Sequence, residues 1–373
     1  MKILYLTPQP PDLYSGGGRH CYANLRSLCE YKDAAVDYIG PSFKSVNDFS
    51  QYNLSVIASR SYTSMDRLKA SIKGVPTSLV QVFSEVRHRV DFRSYDLVFI
   101  EFSYVDFIFN YLPQNTPTIC CIHNVEADYQ GFNRTGFDRL KYILVRKSEQ
   151  RTIRKASNLL VMHEFDARRL ESIYHTKLVN YTIHPVCSFT PLYDTVNMEE
   201  RENTILFTGS LDSRFNEIGV LEFLNTCWTE IKDCGYSLLV AGKNPSKKLV
   251  SALAHYNNTS IIANPPDMEL ILRKARLIVL PDIYGTGMKL RVAQAMSYGV
   301  PVVGTKLGLR GYDDVEKYGF AVGSVSDMKD SVLTLIEDAE ILKQLSLGAI
   351  EIWKRKYTYE IFRSRIYSIL GRL

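Results

Sequence analysis

The 373-residue chain has no apolar run near the roughly 18 residues that a membrane-spanning helix needs; its longest, such as Leu277–Leu280, are the size of strands. No secretory signal is expected either, because the short Ile3–Leu6 run behind Lys2 is cut off by Pro8. None of its seven cysteines (21, 29, 120, 121, 187, 227 and 234) forms a C-x-x-C pair, so buried free thiols in a reducing compartment are expected. Charge of one sign is lacking too: 45 Lys and Arg stand against 40 Asp and Glu, a net +5 that by itself does not argue for a nucleic-acid binder. Repeats of 20–50 residues and low-complexity tracts are absent. What remains is ordinary globular protein, 46% hydrophobic and 23% charged, with length for two domains at roughly 100–200 residues each.

Short apolar runs alternate with helical patterns in both halves, the signature of α/β domains with parallel sheets covered by helices. In the first half the strands are expected at Lys2–Thr7, Ala35–Ile39, Leu54–Ala58, Asp96–Glu101, Thr118–His123 and Asn158–His163, with helices such as Gly18–Tyr31 and Val105–Tyr111 between them. The stretch Pro185–Asn203, with two prolines and no period, reads as a linker. Strands then resume at Thr204–Gly209, Ser237–Gly242, Ser260–Ala263, Leu277–Pro281 and Val300–Gly304. Helices are expected at Ile218–Asp233, Lys247–Tyr256, Pro266–Ala275 and Met288–Tyr298, and Asp327–Leu373 is largely helical. Two Rossmann-like, doubly wound domains facing across a cleft follow, with residues 1–185 as the first, 186–202 as the linker and 203–352 as the second. Residues 353–373 form a last helix.

Parallel sheets of this kind bind ligands beyond the carboxyl ends of their strands, which confines the search to a few loops. The first, PQPPDLYSGGG, places Gly17 and Gly18 ahead of a helix, where backbone amides can approach a phosphate; a flexible glycine turn is the other reading. Its spacing is not G-x-G-x-x-G, which argues against a dinucleotide fold. The second, LIVLPDIYGTGMKLRVAQAMSYGVPVVGT, is the most informative. A buried strand leads into Gly285-Thr286-Gly287-Met288, Thr286 is a candidate helix cap, and Lys289 falls in the first helical turn. A lysine at the positive end of a helix is favourable only with an anion beside it, and Gln294, two turns on, is placed to hydrogen-bond a ribose.

The third loop, TILFTGSLDSRFN, carries Gly209 and then Arg214, either a clamp for a departing diphosphate or a solvated arginine. The fourth, CCIHNVEAD, puts His123, Asn124 and Glu126 directly after a strand. No second histidine sits at ligand spacing, so no metal is expected; a structural histidine and a polar substrate contact both remain open. Residues 134–155 hold eight basic side chains, among them Arg139, Arg146, Lys147 and Arg151, against Asp138 and Glu149. Apolar residues Tyr142, Ile143, Leu144, Val145 and Ile153 are interleaved at helical intervals. Such a helix can lie on anionic lipid or simply present a solvated basic face; no RNA-recognition motif supports RNA binding.

These segments, SGGGRHCYANLRSL, HNVEADY, FTGSLDSRFNEIGVLEFL and LPDIYGTGMKLRVAQAMSYGVPVVGTKLGLRGY, resemble the retaining GT-B glycosyltransferases of glycosyltransferase family 4, which build bacterial surface polysaccharides and lipid-linked glycans. The tail IWKRKYTYEIFRSRIYSIL is similar to the family's final helix, which crosses back onto the N-terminal domain. The resemblance implies sugar transfer from a nucleotide-diphosphate donor, UDP or GDP, to a hydroxyl of a glycan or lipid-linked glycan, with retained configuration and neither cofactor nor metal. Gly17, Gly18, Gly209, Gly285, Thr286, Gly287 and Met288 would then surround the donor, Gln294 its ribose and Asn264 its base. Arg214 and Lys289 would neutralise the leaving diphosphate, and His123 would face the transferred sugar or the acceptor.

Four positions depart from the family: Thr286 and Gln294 stand where the family's Glu-seven-residues-Glu motif is usual, the second being its ribose-binding Glu, and Ser210 and Asn216 stand where many members carry Arg and Lys. A front-face reaction, with the leaving phosphate taking the acceptor's proton, accounts for the lack of a clear general base, and Glu126 is the reserve candidate. A non-catalytic nucleotide-sugar-binding scaffold and a nucleotide-sugar epimerase are the alternatives. The expected location is the cytoplasm, with a peripheral contact to the anionic inner face of the plasma membrane and no nucleic-acid partner.

Overall fold

The structure, a computed structural model, describes residues 1–13, 15–131, 137–189 and 201–372, the Phe137 side chain excepted. Most of the expected linker, residues 190–200, lies outside the described residues, as do Arg134 and the last residue of the expected final helix. The chain divides into two compact units. The first comprises Met1–Val186, Thr286–Met288 and Phe362–Leu373; the second comprises Cys187–Gly285 and Lys289–Ile361.

Unit 1 holds seven strands: β1 (Lys2–Leu6), β2 (Ala35–Gly40), β3 (Leu54–Ser59), β4 (Leu97–Glu101), β5 (Thr118–Ile122), β6 (Asn158–Val161) and β7 (Tyr181–Ile183). They form one parallel sheet in the order β3-β2-β1-β4-β5-β6-β7. Every residue of β4 and β5 is buried, because helices cover both faces of an all-parallel sheet and leave no polar side. One layer of core joins Leu4, Val98, Ile100 and Ile122 to Phe83 and Leu170. The order reverses between β1 and β4, where the diverging connections leave a crevice at the carboxyl edge.

Unit 2 repeats the plan with six strands: β8 (Thr204–Ser210), β9 (Ser237–Lys243), β10 (Thr259–Ala263), β11 (Leu277–Leu280), β12 (Val302–Thr305) and β13 (Gly319–Val322). Their order, β10-β9-β8-β11-β12-β13, is again parallel throughout and reverses between β8 and β11. Its core packs Phe207, Val240 and Val279 against Phe223, Trp228 and Val332.

Several expected elements differ. The three glycines are not a loop ahead of the first helix but its first turn: the helix is Gly16–Cys29, and the Ser15 side chain caps it by accepting from Gly18 N at 3.0 Å. Val105–Tyr111 is only a 3-10 turn, Asp106–Asn110. The single helix expected over Ile218–Asp233 is two, Arg214–Thr226 and Trp228–Asp233, broken at Cys227. Strands β7 and β13, three and four residues long, are additions to the expected set; they form where sheet edges already stand beside them. The helix expected at Met288–Tyr298 starts only at Leu290 and runs to Ser297. It stops as expected at Gly299, whose φ of 61° lets Val300 N bond back to Ala295 O. The end of the chain forms helices Ala339–Lys356 and Tyr359–Leu370.

Candidate functional site

In unit 2 the chemistry-bearing loops gather at the carboxyl ends of β8 and β11, on either side of the order reversal. Gly285 and Gly287 have φ of 121° and 69°, conformations that side chains disfavour, so the chain can make the tight turn needed after β11. That turn carries the backbone past Thr286, which is therefore not the helix cap. Lys289 holds the N-cap position, with no side-chain cap bond, and is not in the first turn. Its carbonyl accepts from Val292 N (3.0 Å) and from the Tyr312 hydroxyl (2.8 Å). Its Nζ reaches back to within 3.2 Å of the point where a Cβ on Gly285 would stand. Met288 is half-buried. Gln294 is the one residue of Arg291–Ser297 that is not buried, so its side chain points away from the core.

Arg214, exposed, is the first residue of its helix. Asn264 directly follows β10 with φ of 51°; its side-chain oxygen accepts from Asn244 N at 3.0 Å, tying the ends of β9 and β10 together. A residue that the sequence reading missed lies at the centre. Arg291 is buried, its guanidinium paired with Asp282, donating to Thr208 O (2.9 Å) and Asn216 Oδ1 (3.3 Å) and lying over the Phe207 ring at 4.9 Å. It thus links the end of β8, beside Gly209, to the loop after β11. A charged residue set between the apolar Leu290 and Val292 was the available signal, since such a residue, once buried, needs a buried acid.

In unit 1 the first-turn glycines are crowded. A Cβ on Gly17 would stand 2.6 Å from Gln9 Oε1, and one on Gly18 2.6 Å from Asp12 Oδ1. His123 follows β5 and is buried. Its Nε2 lies 2.5 Å from Glu101 Oε2, and its ring stacks on Phe102 with centroids 4.0 Å apart. Around it stand His20, Cys21 and Cys121, all buried. Two overlapping sets, His20/Cys121/His123 and Cys21/Glu101/His123, each bring three potential metal-ligating atoms within 4.8 Å of one another. The second histidine absent from the local sequence comes from the helix after β1. These atoms are already engaged with each other, His20 Nε2 with Cys121 Sγ (3.3 Å) and His123 with Glu101.

Glu126 opens the short helix Glu126–Gln130 and is buried. Beneath it, Glu149 accepts from the amides of Glu126 (2.9 Å) and Ala127 (3.0 Å), Ser103 (2.6 Å) and Tyr174 (2.6 Å). Burial, reinforced by the Glu149 charge, pushes the Glu126 carboxyl up to about 8. At neutral pH it therefore carries its proton and is not a resting base.

The basic segment forms the helix Phe137–Lys155. Val145 and Ile153 face the core, whereas Arg139, Lys141, Arg146, Lys147 and Arg151 are exposed together with Leu140 and Ile143. Arg151 is 3.3 Å from Asp106, and Arg146 donates to Ile173 O at 3.4 Å. Among the described residues no helix is long and apolar enough to cross a membrane.

Two parallel-sheet α/β domains of seven and six strands constitute the GT-B fold. The likeness spans whole chains. Anabaena Alr3699/HepE, solved with UDP and glucose, superposes with a TM-score of 0.72 at 14% identity, over 100% of both chains. WaaG, a glycosyltransferase involved in lipopolysaccharide biosynthesis, gives 0.70 at 13% identity over 97% of this chain and 98% of its own. Sucrose-phosphate synthase from Thermosynechococcus elongatus gives 0.74 at 14% over 100% and 98%. Residues 202–338, most of unit 2, match the family described as glycosyl transferases group 1. No curated protein matches the chain by sequence.

Proposed function

We propose that the protein is a retaining glycosyltransferase of family 4 type. It moves a sugar from a nucleoside diphosphate to a hydroxyl of a glycan or lipid-linked glycan in surface-polysaccharide biosynthesis. The observation that carries this reading is the turn Gly285–Lys289. Its two glycines in side-chain-averse conformations deliver Lys289 to the start of a helix at the carboxyl edge of a sheet, inside the segment matched by glycosyl transferases group 1. A cation at a helix N-terminus opposes the helix dipole, and an anionic ligand there reverses the sign of that interaction. Arg214, first in its own helix, adds a second cation of the same kind.

The transition state for transfer resembles an oxocarbenium ion leaving a diphosphate, so charge accumulates on the leaving group. Lys289, Arg214 and backbone amides stabilise it without a metal. The leaving phosphate oxygen takes the acceptor's proton, and His123 contacts a sugar hydroxyl. UDP is the preferred donor nucleotide on the strength of similar structures solved with it, GDP the next candidate. Gln294 reaches the ribose and Asn264 flanks the base. The exposed basic face around Arg146, with Leu140 and Ile143 on it, lies against anionic lipid on the cytoplasmic side, where a lipid-linked acceptor would be met.

Thermal denaturation with UDP and GDP tests the donor; binding at 100 times the dissociation constant adds about 2.7 kcal/mol. Incubating nucleotide sugars with glycan acceptors, with and without EDTA, tests the reaction, and the anomeric configuration of the product tests retention. Binding without nucleotide release would make the protein a scaffold, and an epimerised donor would make it an epimerase.

A further inference from the structure

Glu101, the last residue of β4, sits at the order reversal of the unit 1 sheet and is wholly buried. Its Oε1 accepts two hydrogen bonds, from the Tyr5 hydroxyl at 2.7 Å and from Asn24 Nδ2 at 2.8 Å. Tyr5 is held by its stacked neighbours Tyr38 and Phe99, and burial keeps its phenol protonated far above the usual range. Asn24 is oriented by His184, whose Nε2 lies 3.1 Å from its Oδ1. Two donors on one oxygen fit a carboxylate ion. The other oxygen faces His123 Nε2, so that nitrogen carries the hydrogen.

The next residue, Phe102, has φ of 67°, a left-handed conformation that a bulky residue adopts only when its surroundings impose it. Its amide donates to Cys121 O at 2.9 Å, and its ring lies within 15° of parallel to the His123 imidazole. His123 is thus gripped at one edge by Glu101 and on one face by Phe102. His20 stands edge-on at 4.8 Å, kept neutral by burial. A cluster built only to fill the core has no need of a strained backbone at the residue that stacks on one particular ring.

We infer that Glu101 is the positioning residue of His123: by accepting the Nε2 hydrogen it fixes the tautomer and leaves Nδ1 as a bare acceptor, so that the ligand group met there is a hydroxyl hydrogen. This rests on the glycosyltransferase reading for the identity of the ligand as a sugar, not for the state of the imidazole. Sugars lacking the contacted hydroxyl, or carrying a carboxylate in its place, are poor substrates.

The test has two independent arms. Two-bond proton–nitrogen NMR of the histidine-labelled protein, with His123→Ala to identify the signal, reads the tautomer directly. Nε2–H with a bare Nδ1 is expected at pH 7.5, and a ring that carries hydrogen on Nδ1, as the other tautomer or as the imidazolium, overturns the inference whatever the enzyme turns over. In kinetics, Glu101→Gln lowers kcat about ten- to hundredfold, as removal of a carboxylate behind a working imidazole does, with Glu101→Asp recovering part of it. The double variant with His123→Ala is no worse than His123→Ala alone, because Glu101 acts through that ring; additive losses would overturn the inference. If no nucleotide sugar is turned over by the parent protein, the transferase reading fails, while the NMR arm still decides the role of Glu101.

Discussion

Arg291 and Asp282 form a buried ion pair beside the order reversal of the unit 2 sheet, one partner in the helix Leu290–Ser297 and the other just past Pro281 after β11, and Arg291 also donates to Thr208 O of β8. The aspartate is held from its other side through its carbonyl, which accepts from the Thr305 hydroxyl at 2.7 Å. Through Arg291 the pair is tied to Thr208 O and to Asn216 Oδ1, beside Gly209. Removing one partner strands a buried charge. Arg291→Ala is therefore expected to lose about 3–5 kcal/mol of unfolding free energy by urea titration. Replacing both with apolar residues of similar volume should cost far less.

Lys289 is half-buried, with its Nζ turned back over Gly285. Lys289→Ala should leave the melting temperature within a degree or two and cut turnover about a hundredfold or more, the scale seen when one group stabilising a developing anion is removed. Steady-state kinetics beside a thermal melt separate the two effects, and near-normal turnover would refute the assigned role.

The glycine turn itself is testable. At φ of 121° an alanine at position 285 is strained by about 1–3 kcal/mol, and its methyl group displaces the Lys289 ammonium. Gly285→Ala is expected to weaken UDP binding by calorimetry more than it lowers stability. Gly74→Ala, at φ of 65° with nothing within 4 Å, supplies a control for backbone strain alone.

Glu126 gives a pH dependence of known sign. Its carboxyl rises from the ordinary 4.5 to about 8 in the fold, because burial penalises its charge and Glu149 repels it. Between those values the folded state holds a proton that the unfolded chain has released, so stability falls as pH rises, by at most about 1.4 kcal/mol per unit. Glu149, raised by its own burial, contributes with the same sign. Glu126→Gln should flatten the profile of melting temperature from pH 5 to 9 and melt above the parent at pH 8.5; an unchanged slope would refute the account.

The basic helix makes a prediction about lipid. Arg146→Gln with Lys147→Gln removes two exposed charges, each worth about 1 kcal/mol near an anionic surface. Sedimentation with phosphatidylserine-containing vesicles should show partitioning reduced about thirtyfold, and the parent's binding should fall as salt is raised. No binding by the parent at low salt would leave the face merely solvated.

The strand pattern was legible in the chain because buried parallel strands are continuous apolar runs: Leu97–Ile100, Leu159–Val161 and Leu277–Leu280 announce themselves without any partner. The glycine turn and its lysine were legible for a similar reason, since backbone conformation and helix polarity are local. Local patterning therefore encodes two doubly wound sheets and the loops at their carboxyl edges. Which polar groups inside those edges meet is set by the packing of distant segments. Glu101 reads as the end of an apolar strand and Arg291 as a surface helix residue until the fold brings Tyr5, Asn24 and His123 to the first and Asp282 to the second. Those partners lie 96, 77, 22 and 9 residues away, and a buried charge is satisfied by neighbours in space, which no local pattern encodes.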